Sequence, residues 1–155
     1  MFRIIHAKNA LHYAKARALF SEYVASLDFD LDFQEFESEL ASLPGQYSPS
    51  TGCLLLAQCD NQFIGCVALR KFDDGICEMK RLYVVPSYRG EKVGRALAEK
   101  VINTARKLGY RRMRLDTVAS MGEANTLYGS LGFYPIEPYC YNPIDQARYY
   151  ELQLR

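Results

Sequence analysis

Histidine is scarce in this chain: His6 and His12 are its two histidines, and both lie near the amino terminus. A Ser-His-Asp triad or a histidine-based metal site is therefore disfavoured. The five cysteines are odd in number and include no C-x-x-C pair. They lie mostly in apolar, strand-like segments, which favours reduced, buried thiols over a disulfide framework. No metal is predicted.

Long apolar runs are also absent. None approaches the roughly 18 residues of a membrane span, and the amino terminus turns polar too soon for a secretion signal. With 155 residues and 49% hydrophobic content, the chain can bury a stable core without disulfides or structural metal ions. The sequence therefore predicts a single cytoplasmic domain over residues 1–155 that does not associate with membranes.

Two common nucleotide-binding signatures are missing as well. The chain contains neither the G-x-x-x-x-G-K-[ST] run of nucleotide hydrolases nor the G-x-G-x-x-G run of dinucleotide binders. It has instead a strand-like segment that Pro86 should end, followed by a turn with Gly90 and Gly94 and a helix starting near Glu91. The glycines allow close approach of a ligand, and the first helical turn offers free N–H groups. This turn is predicted to bind an anion.

Positive charge is concentrated around the same turn. Arg89, Lys92 and Arg95 flank it, where pyrophosphate would favour fixed cations. Residues 70–114 hold thirteen Lys and Arg against five Asp and Glu, whereas residues 1–69 hold four against eight. This asymmetry suits a cofactor with several phosphates. For the basic residues of 106–114, a solvated surface is the alternative, and non-specific nucleic-acid binding is a weaker one.

Two sequence motifs, one following the other along the chain, resemble conserved motifs of the GNAT acetyltransferase superfamily. Residues 89–94, RGEKVG, resemble its acyl-CoA-binding pattern [QR]-x-x-G-x-[GA], with Lys92 where the central glycine is usual. Residues 127–133, LYGSLGF, resemble its [FL]-Y-x-x-x-G-F segment. The matched stretch runs from about residue 77 to residue 133, and residues 136–154 also read like the tail of this family.

The resemblance implies a fold and a co-substrate. The fold is of the α/β (α+β mixed sheet) class, the GNAT acyl-CoA N-acyltransferase fold, with a central sheet of about seven strands flanked by helices on both faces. The co-substrate is acetyl-CoA, whose pantetheine arm would pair with the end of the strand over residues 77–85. The cofactor-binding residues implied are Leu82, Tyr83, Val84, Arg89, Gly90, Glu91, Lys92, Val93, Gly94 and Arg95, with Asn125 as a candidate offset by four residues from the family's asparagine position, which is Met121 here.

The resemblance also implies two catalytic residues. Tyr128 occupies the position of the family's tyrosine near the sulfur, from which a phenol can donate to the departing thiolate. The alternative is a core tyrosine beside Leu127 and Leu131. Glu78, eleven residues before Arg89, matches the position of a catalytic glutamate in some members and could take the proton of the amine, directly or through water. The alternative is that Glu78 only neutralises Lys80 or Arg81.

The acceptor is the least defined part. A small-molecule primary amine is predicted, with no specific nucleic-acid partner, and a homodimer is left open. Residues 28–39 hold six acids and no base, which would attract an amine, although acids at helical spacing more often form a solvated helix face. Tyr139, Tyr141, Tyr149 and Tyr150 either line a pocket with the proline-containing loop or pack an edge strand. A non-catalytic acetyl-CoA-binding regulatory module and a domain binding another nucleotide are the rival functions.

The order of elements follows from periodicity and turn signals. Strands are predicted at residues 2–7, 52–59, 63–72, 76–85 and 111–117, near 133 and at 149–154. Helices are predicted from Asn9 as cap to about residue 27, and at residues 33–43, 91–108 and about 121–131. The strand at 111–117 should lie parallel to the strand at 76–85.

Overall fold

The computed structural model describes residues 1–27, 35–119, 121–144 and 146–155. Its strands are β1 (Arg3–His6), β2 (Cys53–Cys59), β3 (Gln62–Asp73), β4 (Ile76–Val84), β5 (Arg112–Val118), β6 (Tyr134–Pro135) and β7 (Ala147–Gln153). Its helices are α1 (Ala10–Ala25), α2 (Phe36–Ser42), α3 (Val93–Lys107) and α4 (Gly122–Ser130). All seven strands form one sheet in the order β1-β2-β3-β4-β5-β7-β6. Pairing is antiparallel except between β4 and β5, so the predicted mixed sheet is confirmed.

Helix α1 begins where the sequence predicts. The side chain of Asn9 accepts a hydrogen bond from the backbone N–H of His12 at 2.9 Å, which satisfies one of the free donors of the first turn. Ala16, Leu19 and Phe20 are buried. They belong to a core cluster that joins α1 and α2 to one face of the sheet.

The opposite face of the sheet carries α3 and α4. One face of α3 is buried there, with Leu97, Val101 and Ala105 fully enclosed against apolar residues of β2, β3 and β4. Tyr128 of α4 belongs to the same cluster. Helices therefore cover both faces of the sheet, as predicted.

The sheet opens between its two parallel strands. β4 and β5 pair only from Ile76↔Arg112 to Glu78↔Arg114, although β4 continues to Val84. Beyond that point, β4 contains a bulge: Ala68 faces Lys80 and Cys66 faces Tyr83, so two residues of β4 oppose one of β3. Arg81 in the bulge has a left-handed backbone with φ of 61°. The backbone of β4 therefore presents an edge toward the opening.

Some predicted boundaries differ from the structure. The final strand begins at Ala147, two residues before the predicted start, and β6 is only two residues long. The predicted start of the second helix, at residue 33, lies outside the described residues, and the helix is described from Phe36. In the described part of the chain, no helix combines the length and the apolar character needed to cross a membrane.

Candidate active site

A groove of about 810 Å³ lies beside the far end of β4, where the sheet opens. The predicted cofactor-binding residues that line it are Leu82, Tyr83, Val84, Arg89, Gly90, Lys92, Val93 and Gly94. Tyr23, Ser26 and Leu27 from the α1 side and residues 121–124 with Leu127 from the α4 side complete its walls. The structure thus brings the end of β4 and the glycine-containing turn together on one surface.

The turn before α3 leaves backbone N–H groups free to bind an anion. Gly90 and Lys92 both have left-handed backbones, with φ of 85° and 66°, and α3 begins directly afterwards at Val93. The first helical bond runs from the N–H of Ala96 to the carbonyl of Lys92, at 3.1 Å. The preceding N–H groups of the first turn have no partner within the helix, so they are available at its positive end.

Gly94 leaves space in this turn. A Cβ placed on Gly94 would lie 3.6 Å from Cγ2 of Val84, an ordinary contact. The packing of the protein therefore does not require glycine here. Close approach by a ligand is the remaining reason for a glycine at this point.

Three predicted cofactor-binding side chains lie elsewhere. The guanidinium of Arg95 donates to Oγ of Ser130 at 2.9 Å and lies 3.5 Å from Glu99, so Arg95 can serve the groove only through its backbone N–H. Glu91 is exposed and does not line the groove. The amide of Asn125 donates to the carbonyl of Val118 at 2.9 Å, and its Oδ1 is buried without a partner among the described residues. Asn125 therefore fixes the end of β5 and does not line the groove.

A small cavity of about 70 Å³ lies at the point where β4 and β5 separate. It shares Tyr23, Leu82, Met121 and Ala124 with the groove. It shares Lys80 and Asp116 with a third cavity on the other side. We call it the central cavity because it shares lining residues with each of the other two.

Tyr128 lines the central cavity from α4. Its ring is held by edge contacts with Phe133 and a tilted contact with Tyr150, at centroid distances of 5.7 and 6.3 Å. Burial raises the pKa of Tyr128, and the nearby Tyr23 and Asp116 raise it further, so the phenol keeps its proton well above neutral pH. Its hydroxyl makes no hydrogen bond with any residue that the structure describes. This hydroxyl is a donor that a ligand can use.

The third cavity, of about 390 Å³, is the candidate acceptor cavity. Its walls come from α2 with the residues that flank it, from β3, β4 and β5, and from the loop before β7: Glu35, Ser38, Glu39, Ser42, Leu43, Pro44, Gln46, Tyr47, Arg70, Glu78, Lys80, Asp116, Cys140 and Tyr141. Glu35 and Glu39 belong to the predicted acidic stretch; its residues 28–34 lie outside the described part of the chain. Of the four predicted pocket tyrosines, only Tyr141 lines this cavity.

Glu78 forms one wall of the acceptor cavity and is only 1% exposed. Its carboxylate accepts a hydrogen bond from Nε of Arg70 at 2.7 Å and from the hydroxyl of Tyr139 at 2.6 Å. Burial alone would raise the pKa of Glu78, but the charges of Lys80 and Arg70 and the two hydrogen bonds outweigh burial and hold the pKa below its usual value. The cation in direct contact with Glu78 is thus Arg70, and not Lys80 or Arg81, the two partners that the sequence suggests.

These contacts predict that Glu78→Gln is less stable than the wild type at neutral pH. The neutral amide leaves the Arg70 guanidinium without its anion, and we expect the free energy of unfolding at neutral pH to fall by about 1–3 kcal/mol. Because the folded-state pKa of Glu78 is depressed, its contribution is present above the unfolded pKa of about 4.3 and is lost as the pH falls through the folded value. Urea unfolding of both proteins at several pH values measures the difference. A difference that persists unchanged to about pH 3.5 would contradict this account.

One group of potential metal ligands occurs among the described residues. Carboxylate oxygens of Glu78 and Asp116 and the Sγ of Cys140 lie within 4.8 Å of one another. Burial and the neighbouring Asp116 and Glu78 raise the pKa of the Cys140 thiol to about 12, so it remains protonated. The oxygens of Glu78 already accept hydrogen bonds from Arg70 and Tyr139. This group is better described as a hydrogen-bond network than as a metal site.

Sequence reasoning missed Asp116 and Arg70 and considered Lys80 only as a charge that Glu78 neutralises. Asp116 lies on β5 two residues after Arg114, the last β5 residue that pairs with β4, and it lines both the central and the acceptor cavity. A signal was available, since Glu78 and Lys80 lie two positions apart in a strand and therefore share a face. Which residues of β5 would lie opposite them depends on the register, which the sequence does not define.

The nearby ion pair between Arg81 and Glu39 joins α2 to the bulge of β4. Its two hydrogen bonds measure 2.9 and 2.7 Å. Arg81 is 6% exposed and lies 5.5 Å from the ring centroid of Phe36. The wall of the acceptor cavity is therefore attached to the strand that carries Glu78 and Lys80.

Comparison with known proteins identifies this arrangement. The model of the acetyltransferase (GNAT) family matches residues 10–133. The chain belongs to the GNAT acetyltransferase family. An uncharacterized N-acetyltransferase of Schizosaccharomyces pombe is 41% identical over 140 residues, covering 89% of this chain and 86% of that protein. This GNAT protein is an acetyl-CoA-dependent N-acetyltransferase.

Solved GNAT structures have the same fold. An acetyltransferase of the GNAT family from Staphylococcus aureus superposes with a TM-score of 0.83 at 23% identity, over the full length of both chains. PaiA N-acetyltransferase from Thermoplasma acidophilum, in complex with coenzyme A, gives 0.76 at 17% identity, covering 99% of each chain. Among more distant sequences, the N-acetylaspartate synthetase of Danio rerio is 34% identical over 98 residues, which is 62% of this chain and 35% of that protein.

Proposed function

We propose that this GNAT enzyme transfers the acetyl group of acetyl-CoA to the primary amine of a small molecule. The observation that carries the proposal is the series of three cavities with shared walls. The groove holds acetyl-CoA, the central cavity holds the thioester, and the amine enters from the acceptor cavity.

The groove accounts for cofactor binding. The pyrophosphate binds the first-turn N–H groups of α3, with Arg89 and Lys92 beside it. The pantetheine arm lies along Leu82, Tyr83 and Val84, where the backbone of β4 has no ladder to β5. One N–H of this edge can polarise the thioester carbonyl.

The reaction then follows from the residues around the central cavity. The amine loses a proton, its nitrogen attacks the thioester carbon, the C–S bond breaks as the C–N bond of the amide forms, and the new amide loses a second proton. Tyr128 donates a hydrogen bond to the departing thiolate, which takes up a proton to give coenzyme A. Glu78 or Asp116 accepts the first proton of the amine, directly or through water. Asp116 is the stronger candidate, because the oxygens of Glu78 are occupied by Arg70 and Tyr139.

The size of the acceptor cavity supports a small molecule. Small-molecule sites typically have volumes of about 300–1,000 Å³, and this cavity of about 390 Å³ lies near the lower limit. Its walls come from five separate parts of the chain, which suits a compact ligand. The name of the Danio rerio relative, N-acetylaspartate synthetase, also indicates a small product.

Thiol release tests the proposal. The enzyme is mixed with acetyl-CoA and, separately, with simple amines, polyamines, free amino acids and peptides. We expect coenzyme A release with free small molecules and background release with peptides. Release only with peptides or proteins would contradict the proposal.

A further inference from the structure

The wall shared by the central and acceptor cavities carries two oppositely charged side chains, Lys80 on β4 and Asp116 on β5. Most of the charged groups around them are matched. Arg70 pairs with Glu78, Arg81 with Glu39 and Arg114 with Glu151. The pairs leave Lys80 and Asp116 as the charges directed to the place where the acceptor meets the thioester.

Lys80 is partly buried and forms no hydrogen bond or ion pair with any residue of the described ranges. Burial lowers its pKa, Arg81 and Arg70 lower it further, and Glu78 and Asp116 act in the opposite direction. An ammonium in this position gains from a ligand that brings an anion to it. A simple amine cannot supply that anion.

Asp116 is held in place by its neighbours. The amide of Asn142 donates to its Oδ2 at 3.1 Å, and the Sγ of Cys140 lies within 4.8 Å of a carboxylate oxygen. These neutral groups hold the carboxylate without cancelling its charge. Asp116 can therefore still receive a hydrogen bond from an ammonium group.

We infer that the acceptor is an α-amino acid, with its carboxylate bound by Lys80, its amino group at Asp116 and its side chain in the acceptor cavity. This inference rests on the proposed function. An α-amino acid carries an ammonium and a carboxylate group on the same carbon, so one small ligand can present an anion to Lys80 and a cation to Asp116. Its amino group then lies next to the central cavity, where Tyr128 meets the sulfur.

Matched substrates test the role of Lys80. The rate of thiol release is measured with each common L-α-amino acid and with its α-carboxamide, which keeps the amine and the side chain but removes the carboxylate charge. For the best acceptor, we expect kcat/KM to be about 10- to 100-fold higher for the acid, the range of one charged hydrogen bond. In Lys80→Met this preference should fall to near unity, mainly through a higher KM for the acid, while the carboxamide changes little.

Two further variants separate the roles. Asp116→Asn should slow the acid and the carboxamide alike, since both present the same amine. Lys100→Met, on the exposed surface of α3, removes a lysine without touching the cavities and should retain the full preference. Lys80→Arg should restore part of the preference lost in Lys80→Met.

The outcomes distinguish the inference from the proposed function. Thiol release with simple amines but not with amino acids overturns the inference and leaves the proposed function in place. Equal use of acids and carboxamides by the wild type, or a preference that survives in Lys80→Met, also overturns it. Release with no free small molecule overturns both.

Discussion

Replacing Tyr128 with phenylalanine should lower turnover by about 10²- to 10³-fold, the usual contribution of one preorganised hydrogen-bond donor to developing negative charge. The ring and its contacts with Phe133 and Tyr150 remain, and only the hydroxyl facing the central cavity is lost. The affinity for acetyl-CoA should barely change, because the interaction strengthens only as negative charge develops on the sulfur. Single-turnover thiol release measures the rate, and calorimetric titration measures the affinity.

Tyr150→Phe is the matched control. Tyr150 lies beside Tyr128 in the same aromatic group but does not line the three cavities, so the same chemical change there should leave turnover intact. Stability should change by less than about 1 kcal/mol in Tyr128→Phe, since its hydroxyl has no hydrogen-bond partner among the described residues to lose. Equal rates for Tyr128→Phe and wild type would remove Tyr128 from the mechanism. A rate loss matched by a large fall in melting temperature would support the core-tyrosine alternative.

The cofactor half of the site was predictable because it is local in sequence. Pro86, Gly90 and the helix start at Val93 lie within a few residues of one another, so the turn and its free N–H groups follow from local rules. The same is true of most element bounds, of the helix cap at Asn9 and of the parallel pairing of β4 with β5. The burial of Leu97, Val101 and Ala105 likewise follows from their helical spacing, which places them on one face of α3.

Lys92 shows how structure explains a departure from the motif. The family pattern has glycine at this position, and Lys92 has φ of 66°, a left-handed backbone that glycine adopts at little cost. The sequence revealed the substitution but not the conformation behind it. The lysine fits in that conformation and lines the groove.

The acceptor half could not be predicted in the same way because it is assembled from distant segments. Arg70, Glu78, Asp116 and Tyr139 meet only after β3, β4 and β5 have paired and the loop before β7 has folded over them. Side chains also depart from the sequence pattern. Arg95 belongs to the basic flank of the turn by position, yet its guanidinium bonds Ser130 of α4, a contact that no local rule gives.

Gly94→Asp should weaken acetyl-CoA binding on the order of 1,000-fold, because a carboxylate at the first turn of α3 opposes the phosphates. Two like charges about 4 Å apart near a protein surface repel by about 4 kcal/mol, close to three powers of ten in the dissociation constant. Gly94→Ala separates the effect of side-chain size on acetyl-CoA binding from the effect of charge. Its Cβ would lie 3.6 Å from Cγ2 of Val84, an ordinary contact, but would occupy space that the pyrophosphate would use. For alanine we expect about a 10- to 100-fold loss, equivalent to one charged hydrogen bond.

Gly129→Ala supplies the control for both variants. Gly129 also lies in a helix, a Cβ there would come within 4 Å of no other part of the described chain beyond its own helix, and the residue lines none of the three cavities. Calorimetric titration with acetyl-CoA should give wild-type affinity for Gly129→Ala. It should give a weaker affinity for Gly94→Ala and the weakest for Gly94→Asp. All three proteins should remain folded, since alanine favours a helix over glycine and aspartate is stabilised at a helix N-terminus. Unchanged affinity in a folded Gly94→Asp protein would place the pyrophosphate elsewhere, and would also remove the reason for assigning the groove between β4 and α3 to acetyl-CoA.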